Sequence, residues 1–465
     1  MSFSRRTFLV GAGAGASVLV LAACTDPNPT PRPTPTAKPT NTLPAQSSFL
    51  RSNWSSDPYA RGATSYLPVG GLPQARDTLR EPIMERVFLA GEALADEPGT
   101  IRGAIDSGET AARDVLDVTT TLERVAVIGA GAAGSEAARV LAANGINVVV
   151  IEARDRTGGR IESRKAEDDT LVELGAWRLG TESDATLIDR LAEAGIDVEP
   201  LAGAWDFALA TQDENTALAA NDTAVPDAVT ALAAAVTWAQ QQAADVSVDD
   251  AVVGSGAAPE EGDGTFGRRT IMDQLLADLE ATTGADGSAI GSWYLTAAIA
   301  DPVVVPDGAL STLVDSSLEG VDTYLSTVVV SIAYDEDRVS LRLGTGESLA
   351  VDRVIVTVPL GVLQEQGIEF DPVLPLRHRS ALDQLSVGDI ELVRIGFDEP
   401  FWDTEAVVWF TDAPEAAVPL WFNLLPVTGE NVLLGIVGGE AAIELAGLDD
   451  QAVLDAARAS LSPFV

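Results

Sequence analysis

Hydrophobic positions along this chain gather into short β-branched runs separated by small-residue helical patterns, an alternation that predicts a parallel sheet with crossover helices. The clearest unit spans 124–152. Arg124-Val125-Ala126-Val127-Ile128 reads as a buried strand, because a parallel strand covered on both faces need not alternate. A helical pattern follows, with Ala133, Ala137, Val140 and Leu141 on one face and Gly145 placed to cap its C-terminus. A second strand, Val148-Val149-Val150-Ile151, ends in Glu152. Residues 228–244, within a longer stretch at 202–302, are Ala-rich and predict a helix. By contrast, 25–48 is a Pro/Thr-rich run with too few apolar groups to fold, and its composition favours an extended polyproline II spacer.

Between the first strand and its helix stands Gly129-Ala130-Gly131-Ala132-Ala133-Gly134. Gly129 permits a tight turn, Gly131 admits a pyrophosphate, and Gly134 lets helix and strand close on each other. The helix N-terminus offers amide groups and a positive dipole to the phosphates, and Glu152 is spaced to accept hydrogen bonds from ribose hydroxyls. Strand, glycines, helix, strand and acid in that order predict a dinucleotide site.

Composition narrows the setting. With 465 residues, 46% of them hydrophobic, a large core and two or three domains are expected. A formal charge of -41 argues against nucleic acid as a partner and against an electrostatic hold on anionic lipid. Cys24 and His378 are the sole residues of their types, so no disulfide can form within the chain and a Cys/His metal site is not expected. His378 lies in a polar helix start, 375–379, and reads as solvent-facing. Cys24 has its own context. Ser4-Arg5-Arg6-Thr7-Phe8-Leu9 is a twin-arginine pattern, 10–23 is a Gly/Ala-diluted apolar stretch, and Leu21-Ala22-Ala23-Cys24 reads as a lipoprotein cleavage box. Cys24 would then be lipidated, placing the protein on the extracytoplasmic face of a bacterial cell membrane, held through that anchor alone.

Ala153-Arg154-Asp155-Arg156-Thr157-Gly158-Gly159-Arg160-Ile161 resembles the arginine-flanked Gly-Gly-Arg stretch of the flavin-dependent amine oxidases, and 172–177 resembles the segment that family sets beside its flavin. Residues 303–318, 328–332, 354–360, 368–372 and 388–402 resemble its other shared stretches. The resemblance implies non-covalent FAD, since no cysteine besides Cys24 exists to form a cysteinyl link. It also implies an α/β fold in which a Rossmann-like FAD-binding domain interleaves with a mixed-sheet α+β substrate domain. The FAD contacts it implies are Gly129, Gly131, Ala132, Ala133, Gly134, Glu152, Ala153, Arg154, Gly159, Arg160, Gly175, Ala176, Trp177, Arg178, Val329 and Thr357.

Flavin amine oxidases usually finish with an aromatic strand region, an Ala-Gly-Glu turn and a small-residue helix. Here the chain ends without them, and similar stretches precede the glycine motif at 53–62, 86–92 and 98–112. Circular permutation is the expectation, with the ordinary ends joined near 117–122 and new ends at Ser48 and Val465. The displaced segment would add Gly91, Glu92, Thr100, Ile101 and Ala104 to the cofactor contacts, with the helix N-terminus at Thr100 favouring the charge of reduced flavin. The expected parts are a signal (1–23), a linker (24–48), FAD-domain segments (79–201 and 303–360) and substrate-domain segments (49–78, 202–302 and 361–465).

At the reactive face the resemblance breaks. The family's lysine position holds Leu392, with Arg394 about 7 Å further along the same strand face. A commonly aromatic position holds Thr64, and Glu97 stands where an aromatic or histidine is frequent. Arg178 is similar to an arginine that meets the substrate carboxylate in L-amino-acid oxidases, a task its forked donors suit; pairing with backbone or a nearby acid is the alternative. Trp54, Trp177, Trp293, Tyr294, Trp409, Phe410, Trp421 and Phe422 are pocket or core candidates. The substrate expected is a small amine or amino acid. Three functions stay open: an oxidase of its C–N bond, a flavin dehydrogenase with another electron acceptor, and an FAD-holding binding lipoprotein without catalysis.

Overall fold

A computed structural model describes residues 43–120, 122–166, 170–201, 207–210, 215–217, 224–258, 268–295, 303–402, 406–411 and 416–465. The twin-arginine stretch, Cys24 and most of the proline run lie outside the described residues. The 124–152 pattern builds the middle of a five-stranded parallel sheet. Its order is β6 (Asp322–Tyr324), β5 (Asn147–Ile151), β4 (Arg124–Ile128), β7 (Arg353–Val356) and β3 (Val87–Leu89). Strand β3 thus precedes β4 in the chain yet lies beyond β7 at the sheet edge. Val125, Val127, Val148 and Val150 of the two central strands are buried in one core with Ala137 and Leu141 of the crossover helix α3 (Ala132–Ala143). The small residues of α2 (Ile101–Val118) bring it very close to α3: a Cβ on Gly108 would stand 2.1 Å from the Ala133 carbonyl oxygen. A larger residue would force those backbones apart.

A seven-stranded mixed sheet forms the other half. It runs β1 (Ser48–Arg51), β8 (Ile390–Gly396), β10 (Val432–Gly438), β9 (Leu420–Asn423), Val408–Phe410, Phe207–Ala210 and Asn215–Ala217. All neighbours are antiparallel except Phe207–Ala210 with Val408–Phe410. Helix α4 (Arg268–Thr283) shares a core with this sheet, packing Ile271, Met272 and Leu275 with Leu392, Phe422 and Ile436. The Ala-rich helix extends over Ala224–Ala239, ending before the expected 244. Residues 240–242 close it with turn hydrogen bonds instead.

Where the described chain begins, it meets its own C-terminus. Strand β1 pairs with β8 from Ser48↔Gly396 to Arg51↔Val393. Arg51 Nε donates to Asp450 Oδ1 (2.7 Å), and Arg458 of α6 (Asp450–Ser460) donates to the Pro44 carbonyl (2.7 Å) and Gln46 Oε1 (3.0 Å). Leu43, Phe49 and Val465 pack against one aromatic cluster built around Trp409 and Trp421.

One expectation is overturned. His378 is not solvent-facing but fully buried in α5 (Leu376–Leu382) against α1 (Gln74–Arg80), with its Nε2 2.9 Å from the Glu81 carbonyl oxygen. Its flanking arginines carry the polarity of the stretch outward, while His378, Ala381 and Leu382 turn inward. Burial holds its pKa below the usual histidine value.

Candidate active site

One cavity of about 710 Å³ runs from the glycine turn of the parallel sheet to the face of the mixed sheet. At the first end, β4 delivers the chain into a turn at Gly129 (φ +104°), and α3 begins immediately after. The three glycines divide their tasks as the spacing predicts. A Cβ on Gly134 would lie 1.9 Å from the Gly129 carbonyl oxygen, so that glycine serves helix–strand contact; unlike the other expected FAD contacts of this turn, it does not line the cavity. A Cβ on Gly131 would meet no protein atom nearer than 3.7 Å, and Gly131 does line the cavity. Protein packing therefore does not demand a glycine there; space for something held against the backbone does. Ala132 and Ala133 follow on the same wall at the helix N-terminus, where unpaired amides and the dipole favour a phosphate. Glu152 is buried at the end of β5, its carboxylate accepting N–H bonds from Ala130 (2.7 Å) and Arg154 (2.8 Å) while it faces the cavity. These donors fix the carboxylate with its remaining acceptor capacity open to hydroxyls. Such a cradle fits the dinucleotide portion of FAD.

The wall continues through Ala153, Arg154, Gly159 and Arg160, then Gly175, Ala176, Trp177 and Arg178, with Val329 and Thr357 opposite. Thr357 clips β7 to the glycine turn by donating its hydroxyl to the Ile128 carbonyl (2.9 Å). Residues from the first part of the chain complete this end. Arg154 donates to Asp57 (2.8 Å) and lies over the Tyr59 ring; Arg160 donates to the Ala63 carbonyl and to Glu92, both at 2.9 Å. Gly91, Glu92, Thr100, Ile101 and Ala104 all line the cavity. Glu92 is more committed than its sequence position suggests: its oxygens also accept from Ser65 Oγ (2.8 Å) and the Gly99 amide (2.9 Å). Thr100 caps α2 by accepting from the Gly103 amide (2.9 Å), so the positive end of that helix points at the cavity.

The other end is mostly apolar. Ile390 and Leu392 of β8, Leu420 and Phe422 of β9, Ile436 of β10, and Val408 line it with Leu275 and Ala281 of α4. Leu392, at the lysine position, is buried within this lobe. Arg394 does not replace it. That guanidinium is buried elsewhere, donating to Ser48 Oγ (3.0 Å) and lying 3.6 Å from Glu430. Thr64 lines the cavity, buried on β2 (Thr64–Tyr66), whereas Glu97 is exposed and pairs with Arg102. Of the candidate aromatics, Trp54, Trp177 and Phe422 line the cavity; Trp409, Phe410 and Trp421 are core, and Tyr294 is exposed.

Arg178 takes the acid-pairing alternative. Its guanidinium donates to Asp278 Oδ1 (3.2 and 3.3 Å) and Thr282 Oγ1 (3.0 Å), resting over the Trp177 and Phe422 rings. Sequence reasoning missed these partners, together with Gln274, because α4 carries no motif. The signal was present: Gln274, Asp278 and Thr282 recur at i, i+4 and i+8, a polar stripe on a helix that otherwise packs apolar groups into a sheet.

The family model described as flavin containing amine oxidoreductase matches this chain at residues 37–116 and 133–465. Lysine-specific histone demethylase 2 of Homo sapiens is 27% identical over 361 residues, a match covering 72% of this chain but 43% of that protein. Polyamine oxidase 3 of Oryza sativa subsp. japonica is 26% identical over 364 residues, covering 73% of this chain and 72% of the relative. This chain thus spans less than half of the demethylase and most of the oxidase. Among solved structures, putrescine oxidase bound to putrescine is similar in fold, with a TM-score of 0.58 at 19% identity, covering 74% of this chain and 81% of that one.

Proposed function

The chain belongs to the flavin-containing amine oxidoreductase family, and on that premise we propose that it uses FAD to oxidise a small amine at the carbon beside its nitrogen. The carrying observation is the continuity of the cavity from Gly131 to Leu392, which gives cofactor and substrate one shared space. Bound flavin supplies the hydride acceptor. The chain's own residues bind and orient: Gly131 and the α3 N-terminus take the pyrophosphate, Glu152 the ribose, and the α2 N-terminus the pyrimidine side of the ring system. The apolar lobe around Leu392 and Phe422 excludes water from the reacting carbon. Because Arg178 is already held by Asp278 and Thr282, the lobe suits an amine better than an amino-acid carboxylate. Anaerobic mixing with panels of amines and amino acids tests this. Bleaching by amines supports the proposal, and bleaching by amino acids alone would sink it. The rate at which air then restores the colour separates an oxidase from a dehydrogenase with another acceptor.

The order of the chain is read as a circular permutation of the family's arrangement. In support, the family match divides at 117–132, around the expected junction, and residues 44–51 lie against α6 near the C-terminus. Transferring 49–118 to follow Val465 through a short linker should yield a folded, flavin-binding protein; a rearranged chain that never folds would count against the reading. We further propose twin-arginine export and a lipid anchor at Cys24. Among the described residues no helix is long and apolar enough to cross a membrane. Membrane association that survives Cys24→Ser would overturn the anchor.

A further inference from the structure

We infer that Gln274 accepts an N–H of the substrate amine, and that the Arg178–Asp278 pair makes the lobe prefer an amine with one nitrogen and an apolar body. The inference rests on the amine reading above and deepens it. Gln274 is 3% exposed and lines the cavity, yet its Oε1 has no hydrogen-bond partner among the described residues. A buried carbonyl oxygen left unpaired is costly, and a donor entering the cavity recovers that cost. One turn along α4, Asp278 is the carboxylate of this lobe among the described residues, and two N–H groups of Arg178 pair with it. Among the described residues the other carboxylates on the cavity wall already hold donors: Glu92 from Ser65, Gly99 and Arg160; Glu152 from Ala130 and Arg154; Asp184 from Gly180.

A second ammonium group on the substrate therefore finds apolar side chains and a charge already paired. A single nitrogen finds a neutral acceptor. Burial beside Leu392, Phe422 and Ile436 also disfavours the ammonium form, leaving the neutral amine whose lone pair assists departure of hydride.

The experiment uses FAD-loaded protein under anaerobic conditions, with benzylamine and putrescine as probes. Affinities are read from the concentration dependence of the flavin spectral change. Wild type should bind benzylamine about tenfold more tightly than putrescine, and Gln274→Leu should weaken benzylamine about fivefold while retaining flavin content and melting temperature. Gln274→Glu adds an unpaired carboxylate and should move the preference about tenfold toward putrescine. Should Gln274→Leu not fold, Gln274→Met carries the same expectation. Tighter putrescine binding by wild type, or Gln274 variants that leave both affinities unchanged, overturns the inference while leaving amine oxidation standing. If no amine perturbs the flavin of the wild type, both fall together.

Discussion

The two ends of the cavity are made of different material. The cofactor end is chiefly backbone: a glycine turn, two helix N-termini and a carboxylate pinned by amides. Its dimensions follow from where a Cβ can and cannot stand. The substrate end is side chain, assembled from α4 and from the much later strands β8, β9 and β10. Recognition by backbone tolerates little substitution and leaves a motif behind. Recognition by side chains can be rebuilt residue by residue on an unchanged frame, as Leu392 and Thr64 on the cavity wall illustrate.

The largest effect should come from filling the backbone end. Gly131→Leu is expected to weaken flavin binding by on the order of 100-fold, a loss of roughly 3 kcal/mol, with the melting temperature of the flavin-free protein unchanged. Gly134→Leu should instead lower that temperature, because its Cβ meets the Gly129 carbonyl. Flavin retained by Gly131→Leu after gel filtration would remove the contrast between the ends.

Truncations sharpen it next. Leu141→Ala, in the closed core under the parallel sheet, should cost about 3–4 kcal/mol in denaturant titration. Leu392→Ala should cost about 2 kcal/mol, the low end for a buried leucine, since its side chain already borders the cavity. Equal losses would mean that the substrate lobe is packed as tightly as the core.

A pH effect of on the order of 2 °C in melting temperature is expected at Glu391. Burial raises its pKa, opposed by donors from Ser52 and Ser55 that tie the first strand to β8. A carboxyl whose folded pKa lies above its unfolded one stabilises at low pH, and that contribution is lost as pH rises from the unfolded value through the folded one. Glu391→Gln should therefore gain on wild type as pH is raised across that window; a gain on acidification contradicts the assignment. The smallest effect belongs to Arg51→Ala, whose partner Asp450 is exposed: under about 1 kcal/mol, screened by salt.

What could be read from the chain follows the same division. Local order fixes the strand–turn–helix at Gly129 and the acid at Glu152, so fold and cofactor end were visible before any contact was known. The acid that Arg178 meets is Asp278, 100 residues away, brought there by packing that no local pattern announces. His378 departs from the sequence expectation for a related reason: its neighbours Arg377 and Arg379 make the stretch polar, while the fit of α5 on α1 determines which side turns inward. Gln274 sits in a helix with no family signature, and only the cavity gives its carboxamide a meaning.

Hydride transfer in the proposed reaction requires one cavity to bring a flavin and an amine together. Anaerobic mixing of the flavin-loaded protein with benzylamine, and with benzylamine carrying deuterium on the carbon beside nitrogen, tests it most directly. The oxidised flavin band should bleach with both and more slowly with the deuterated amine. Yellow colour that persists with both, at concentrations where each amine is bound, would contradict it.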